Sequence, residues 1–223
     1  MLSLLRDFTA ENVFTWVLVV FIVMFTVIPL HEFAHGYAAY LLGDNTAKNV
    51  GRLTLNPIAH INWIGFAMMM FLGFGWAEPV PINPRNFKNM KTGIAITALA
   101  GPFVNFLMAF IGAIVCAILL KTDVVSINLG SDFLGLFFIL FISINVSLGI
   151  FNLIPVYPLD GSRILSAILP SSALFKYSKY QMYMNIVLFV LLYIFLRTGI
   201  FGFIVQYVSN AILKLAFNIV MLV

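Results

Sequence analysis

Charge is what this 223-residue sequence has least of: Asp, Glu, Lys and Arg make up 9% of it, against roughly 25% in an ordinary soluble domain. Water is thereby excluded as the solvent for most of the surface. A single cysteine, Cys116, excludes a disulfide scaffold, and a surplus of four positive charges is too thinly spread for a nucleic-acid interface. What is abundant is apolar. With 62% hydrophobic residues and a mean hydropathy of +1.06, disorder is excluded as well. The expectation is one integral-membrane domain over residues 1–223. A spanning helix takes about 20 residues, so five or six spans with short connections use up the chain, and no separate soluble domain fits.

The first apolar stretch, Val13 to Leu30, is too long for a signal-peptide core and no small-x-small cleavage site follows it. It reads as part of a helix from Asn12 to about Leu42, some 46 Å long at 1.5 Å per residue; Pro29 predicts a bend within it. Further apolar runs cover Ile61 to Ala77, Gly93 to Leu120, Phe133 to Asn152, Gln181 to Leu196 and Gly199 to Val223. Between them, GRLTLNPIAHINW and AEPVPINPRN carry prolines and β-branched residues that suit extended chain rather than helix. The basic residues decide whether the run at 61–77 crosses. If it loops back, Lys48, Arg52, Arg85, Lys88, Lys91, Arg163, Lys176 and Lys179 share one side, Arg6, Lys121 and Arg197 lie opposite, and Lys214 is unassigned. That asymmetry follows the positive-inside rule, and a crossing run would split it. The fold class is therefore an all-α polytopic membrane protein with a re-entrant element, a small extended or β segment near the active site, and its N-terminus outside.

The strongest chemical signal is His31-Glu32-Phe33-Ala34-His35. On a helix, residues four apart share a face, so two imidazoles can hold one ion while Glu32 reaches a water beside it. Ionisable groups inside a spanning helix cost about 2.5–3.5 kcal/mol each on insertion scales, and three stand within five residues here. The bland alternative is polar packing between helices. Catalytic zinc usually takes three protein ligands and keeps a position for water, so a third ligand is needed. Asp160 stands out among the carboxylates because it directly follows a span, in the turn-rich Asn152-Leu-Ile-Pro-Val-Tyr-Pro-Leu-Asp-Gly. Prolines and Gly161 would present its carboxylate from unwound chain; the alternative is a cap on a helix beginning at Gly161. The re-entrant topology puts this segment on the side where the first helix ends, which lets Asp160 meet His31 and His35.

Three separated stretches, HEFAH at 31–35, Ala100-Gly-Pro-Phe-Val-Asn105 and NLIPVYPLDG at 152–161, resemble the site-2 proteases, intramembrane zinc metalloproteases, in their compact prokaryotic branch without PDZ or CBS domains. The likeness covers about Val27 to Leu165. It implies one zinc ion held by His31, His35 and Asp160, with Glu32 as the catalytic glutamate. Two departures stand out: the branch often has Asp-Pro where this chain has Asn62-Trp63, and Lys where it has Glu78. Asn105 and Asn152 are amides in or at the end of apolar helices. The resemblance suggests that they contact the substrate backbone or steady the active-site turn; the alternative is an interhelical hydrogen bond. His60 either lines the site, as a proton carrier or extra ligand, or is a hydrogen-bonded interface histidine.

Small residues recurring every fourth position, Gly93, Thr97, Gly101, Asn105, Ala109, Ala113 and Ala117, form a face against which the metal-bearing helix is expected to pack. Gln206, Asn210, Lys214 and Asn218 draw a polar line along the last run, which suits an interfacial helix or a span facing its neighbours. The function implied is hydrolysis of peptide bonds in membrane-spanning substrates by an endopeptidase. The chain would sit in the bilayer of a prokaryotic cytoplasmic membrane, with its site opening toward the cytoplasm and no nucleic acid among its partners. A metal or proton transporter and an inactive relative that binds membrane proteins are the alternatives. A transporter is expected to spread its ionisable residues along a route over several helices, whereas these converge on one cluster.

Overall fold

The computed structural model describes residues 10–72, 75–122, 133–170, 173, 177 and 179–222. Arg6 and Lys176, named above, lie outside them. Helices account for nearly all regular structure. The first long helix comprises α1 (Ala10–Ile22), a π-helical turn (Val23–Val27) and α2 (Ile28–Leu41). The π turn falls where Pro29 predicts a bend. Proline lacks an N–H and its ring crowds the carbonyl four residues back, and a widened turn, with Ile28 N–H donating to Val23 O, relieves that crowding. After the short α3 (Thr46–Asn49) come α4 (Trp63–Leu72), α5 (Met90–Lys121), α6 (Phe133–Asn152), α7 (Asp160–Ile168), α8 (Gln181–Thr198) and α9 (Ile200–Leu222).

Helix α4 is about 15 Å long, half the hydrocarbon thickness, and the chain returns beside its own entry point. Ile61 pairs with Ala77 in an antiparallel bridge and Glu78 N–H donates to His60 O at 2.9 Å. Trp16 of α1 donates its indole N–H to Met70 O, which fixes the far end of the excursion. The extended segment expected near the site is this bridge together with residues 76–83. Asn62 caps α4 through its Oδ1 and donates from Nδ2 to Glu78 Oε1 at 2.6 Å. The two departures from the branch pattern are thus the two ends of one hydrogen bond.

Four described helices are long and apolar enough to span a membrane: Asn12–Leu41, Met90–Lys121, Phe133–Asn152 and Ile200–Leu222. Their ends are matched by contacts. At one end Phe14 stacks on Phe133 and Lys121 Nζ donates to Val220 O; at the other Lys91 Nζ donates to Leu169 O and Phe151 meets Phe201 edge-on. The run read as a span at Gln181–Leu196 is helical, but its apolar portion, Tyr183–Phe195, is shorter than the others. Its residues Met184, Leu188, Leu191 and Leu192 pack on Phe151, Ile154, Val156 and Leu159 of the turn before Asp160. Phe195 then stacks on Phe201 across Gly199, whose φ of +68° ends α8 in the left-handed region. Arg197 therefore lies at the same end as Lys91 and Arg163, a correction to its sequence-based placement opposite them, because α8 runs along that end instead of crossing.

The core has two main parts. Val19, Val20, Val23, Met24 and Val27 pack with Leu136, Leu140, Phe141, Ile144 and Met69; Ala109 and Ala113 pack with Ile142, Val146, Val205 and Ala216. The small-residue face of α5 is buried throughout, Gly93 against Phe87, Gly101 against the α2 histidines, and Ala109 and Ala113 against α6 and α9.

Candidate metal centre

Helix α2 carries His31, Glu32 and His35 on its buried side, with His31 at 8%, Glu32 at 9% and His35 at 3% exposure. Helix α5 lies close enough that a β-carbon at Gly101 would overlap His35 Nε2 and His31 Cε1. Only a hydrogen in place of a side chain leaves room for the two imidazoles. One turn earlier on α5, the Thr97 carbonyl accepts from His35 Nδ1 at 2.7 Å, so in the neutral ring Nε2 is a bare lone pair.

The third group arrives from the turn after α6. Gly161 sits where a side chain would overlap the Leu153 and Ile154 carbonyls, which lets α7 start directly beneath the end of α6. Asp160 is the first residue of that helix rather than part of unwound chain, a correction to the sequence reading. The cap position is Leu159, with no side-chain cap bond. The Asp160 Oδ2 lies 3.1 Å from His35 Nε2 and 3.4 Å from His31 Nε2, and the two Nε2 atoms are 3.1 Å apart. A bare imidazole nitrogen and a carboxylate oxygen repel at that distance unless a proton or a cation stands between them. Zinc bonds of about 2.0–2.2 Å to nitrogen and oxygen put neighbouring ligand atoms of a tetrahedron about 3.4 Å apart, close to all three separations. Among the described residues this is the one His, Cys, Asp or Glu cluster with metal-binding geometry. It supplies three ligands, the number that leaves one position open.

Glu32 is beside this cluster, and its Oε2 accepts from Val80 N–H at 3.0 Å. Of the supporting residues, Asn105 is on α5 one turn beyond Gly101, buried, with Oδ1 lacking a partner. Asn152 is half-buried at the end of α6. His60 is buried outside the cluster, its Nε2 on the Thr54 carbonyl at 2.8 Å; this ties its own loop together. Sequence reasoning missed Asp44, just past α2, which accepts from Thr46 N–H and Oγ1, Asn83 N–H and Asn86 Nδ2. Burial pushes its carboxyl up, and these hydrogen bonds outweigh that and hold it below the ordinary carboxylate range. A short polar residue directly after a helix, ahead of a Thr, was the available signal.

The model of peptidase family M50 matches residues 125–195, a stretch that contains Asp160. Bacillus subtilis YwhC, whose name carries zinc metalloprotease as a proposed activity, is 39% identical over 176 residues, covering 79% of each chain. The chain belongs to peptidase family M50, the site-2 protease family. A zinc metalloprotease of Methanocaldococcus jannaschii, MJ0392, is 32% identical over 151 residues, which is 68% of this chain and 34% of that longer protein. No solved structure gives a significant match.

Proposed function

We propose that this M50 protein is a zinc-dependent endopeptidase that hydrolyses membrane-spanning substrates, with residues 1–223 as its catalytic membrane domain. The observation that carries the proposal is the convergence of His31, His35 and Asp160 on one buried point with Glu32 alongside. His31, His35 and Asp160 would hold the ion. Zinc, when bound, supplies Lewis acidity that acidifies water and polarises a scissile carbonyl. The Thr97 carbonyl fixes the His35 tautomer, which leaves the Nε2 lone pair free to serve as a ligand. Glu32 takes a proton from the attacking water and delivers it to the leaving amine. A substrate helix has its amides bonded internally and must unwind before attack; the extended chain at 76–83 offers an edge to receive it. The site lies toward the end that carries Lys91, Arg163 and Arg197, the basic and hence cytoplasmic face of a prokaryotic membrane, from which water enters.

The test is cleavage of a single-span reporter by reconstituted protein. Glu32→Gln is expected to abolish turnover while zinc stays bound at one ion per chain. Normal turnover in that variant would overturn the role of Glu32, and zinc flux without cleavage would turn the reading toward transport.

A further inference from the structure

We infer that the segment Pro79-Val80-Pro81 is a positioning element for Glu32, acting through the Val80 main-chain N–H. The inference rests on the proposed role of Glu32 as proton carrier. Glutamate has three rotatable side-chain bonds and, beside a cluster of ligands, no fixed direction of its own. Here one oxygen, Oε2, is held at 3.0 Å by Val80 N–H, leaving Oε1 to exchange a proton. A hydrogen bond to a carboxylate is charge-assisted and stronger than a neutral one.

The donor is placed unambiguously. Proline has no N–H, so within Pro79-Val80-Pro81 only Val80 can donate, and a slip of one residue in either direction would set a proline against Glu32. Val80 is also seated by its side chain. It is 3% exposed, and a β-carbon on Gly36, one turn along α2 from Glu32, would lie 3.1 Å from its Cγ1. A single α2 face thus grips Val80 at two points, carboxylate on N–H and glycine notch on methyl. The flanks are bolted down independently. Arg52 donates from Nη2 to the Glu78 and Pro79 carbonyls, Glu78 N–H binds His60 O, and Asp44 accepts Asn83 N–H and Asn86 Nδ2 at 2.7 Å each. Such a fixed strap is what holding a carboxylate within a fraction of an ångström demands.

Two measurements on the full-length zinc-loaded protein test this. The first needs no activity: hydrogen exchange at the Val80 amide, which stands alone between two prolines. It is expected to be slow in the wild type and in Glu32→Gln, whose amide oxygen still accepts, and at least tenfold faster in Glu32→Ala. Equal rates in wild type and Glu32→Ala would overturn the inference. The second is kinetic. Val80→Pro removes the donor, and Gly36→Val fills the notch; each should lower kcat about 10- to 100-fold with zinc content within twofold, and Gly36→Val, which lies outside the extended chain at 76–83, should leave KM within twofold as well. Adding Val80→Pro to Glu32→Asp, whose shorter side chain does not reach the amide, should lower kcat no further. A full multiplicative loss in that double variant, or a loss confined to KM, would sink the proposal. Absence of any cleavage by the wild type would count against the protease reading alone, since the exchange measurement would still report on Val80.

Discussion

At His35 the deciding atom belongs to another residue's main chain. The Thr97 carbonyl takes the Nδ1 proton, and Gly101, one turn on, keeps open the space that the imidazoles fill. Gly101→Ala is therefore expected to leave the fold intact, since alanine suits a helix better than glycine. It should weaken zinc binding at least tenfold, measured by competition with a chelator; unchanged affinity would show that the helices part to admit the methyl. The HEFAH pair was legible because fourfold spacing on a helix is visible in letters, and Asp160 because charge placement fixed the end at which it emerges. Thr97 and Val80 were not. Each contributes a backbone atom, a carbonyl that every residue type supplies and an N–H that every type but proline supplies, so only the packing of α2 against α5 and the strap singles them out.

Among the elements, the re-entrant stretch and its strap were half legible. Prolines marked 79–84 as non-helical, but nothing in the sequence tied Asp44 to Asn83 and Asn86. The carboxyl of Asp44 is held below its ordinary value, so its contribution is fully present above the unfolded value of about 3.9 and is lost as pH falls through the folded one. Strap attachment should weaken below about pH 4, read as faster proteolysis or exchange over residues 78–86. Asp44→Ala takes the acceptor from Asn83 N–H and one of two acceptors from Asn86 Nδ2, and should cost about 1 kcal/mol of stability, measured as a fall in Tm. The Asn62–Glu78 bond makes a further prediction. Asn62→Asp alone faces two carboxylates across an exposed contact and should destabilise by about 0.5–1 kcal/mol. Glu78→Lys in the same chain should restore the loss by pairing opposite charges. Equal Tm values for the single and double variants would disconnect the two positions.

For the molecule as a whole, the sequence separated apolar runs well and misjudged the direction of one. Tyr183–Phe195 is apolar enough to be read as a span, and hydropathy does not distinguish a helix that crosses from one lying along the end of a bundle. The contacts that decide it, Leu188 on the Asp160 turn and Phe195 on Phe201, join residues far apart in the chain or hinge on the left-handed Gly199. With α8 lying along that end, Arg197 joins the basic side and strengthens the charge asymmetry that first suggested the topology. Single cysteines introduced at Asn86, Lys121 and Arg197 in a Cys116→Ser background check this with an impermeant thiol reagent. Positions 86 and 197 should label from one side of the membrane and 121 from the other; labelling of 197 together with 121 would mean that α8 crosses.

The five-residue turn at Val23–Val27 has a bearing well beyond its own length. A regular helix rotates its faces by about 100° per residue, so an inserted π turn works as a phase adjuster between the half of the rod that grips Leu136 and Phe141 and the half that presents the imidazoles. Wound as a regular α-helix, the same five residues would swing the HEFAH face about a quarter of a revolution away from Asp160, with every ligand still in place in the sequence. Part of the coordination chemistry is thus encoded in the winding of residues that stand apart from the imidazoles and the carboxylate.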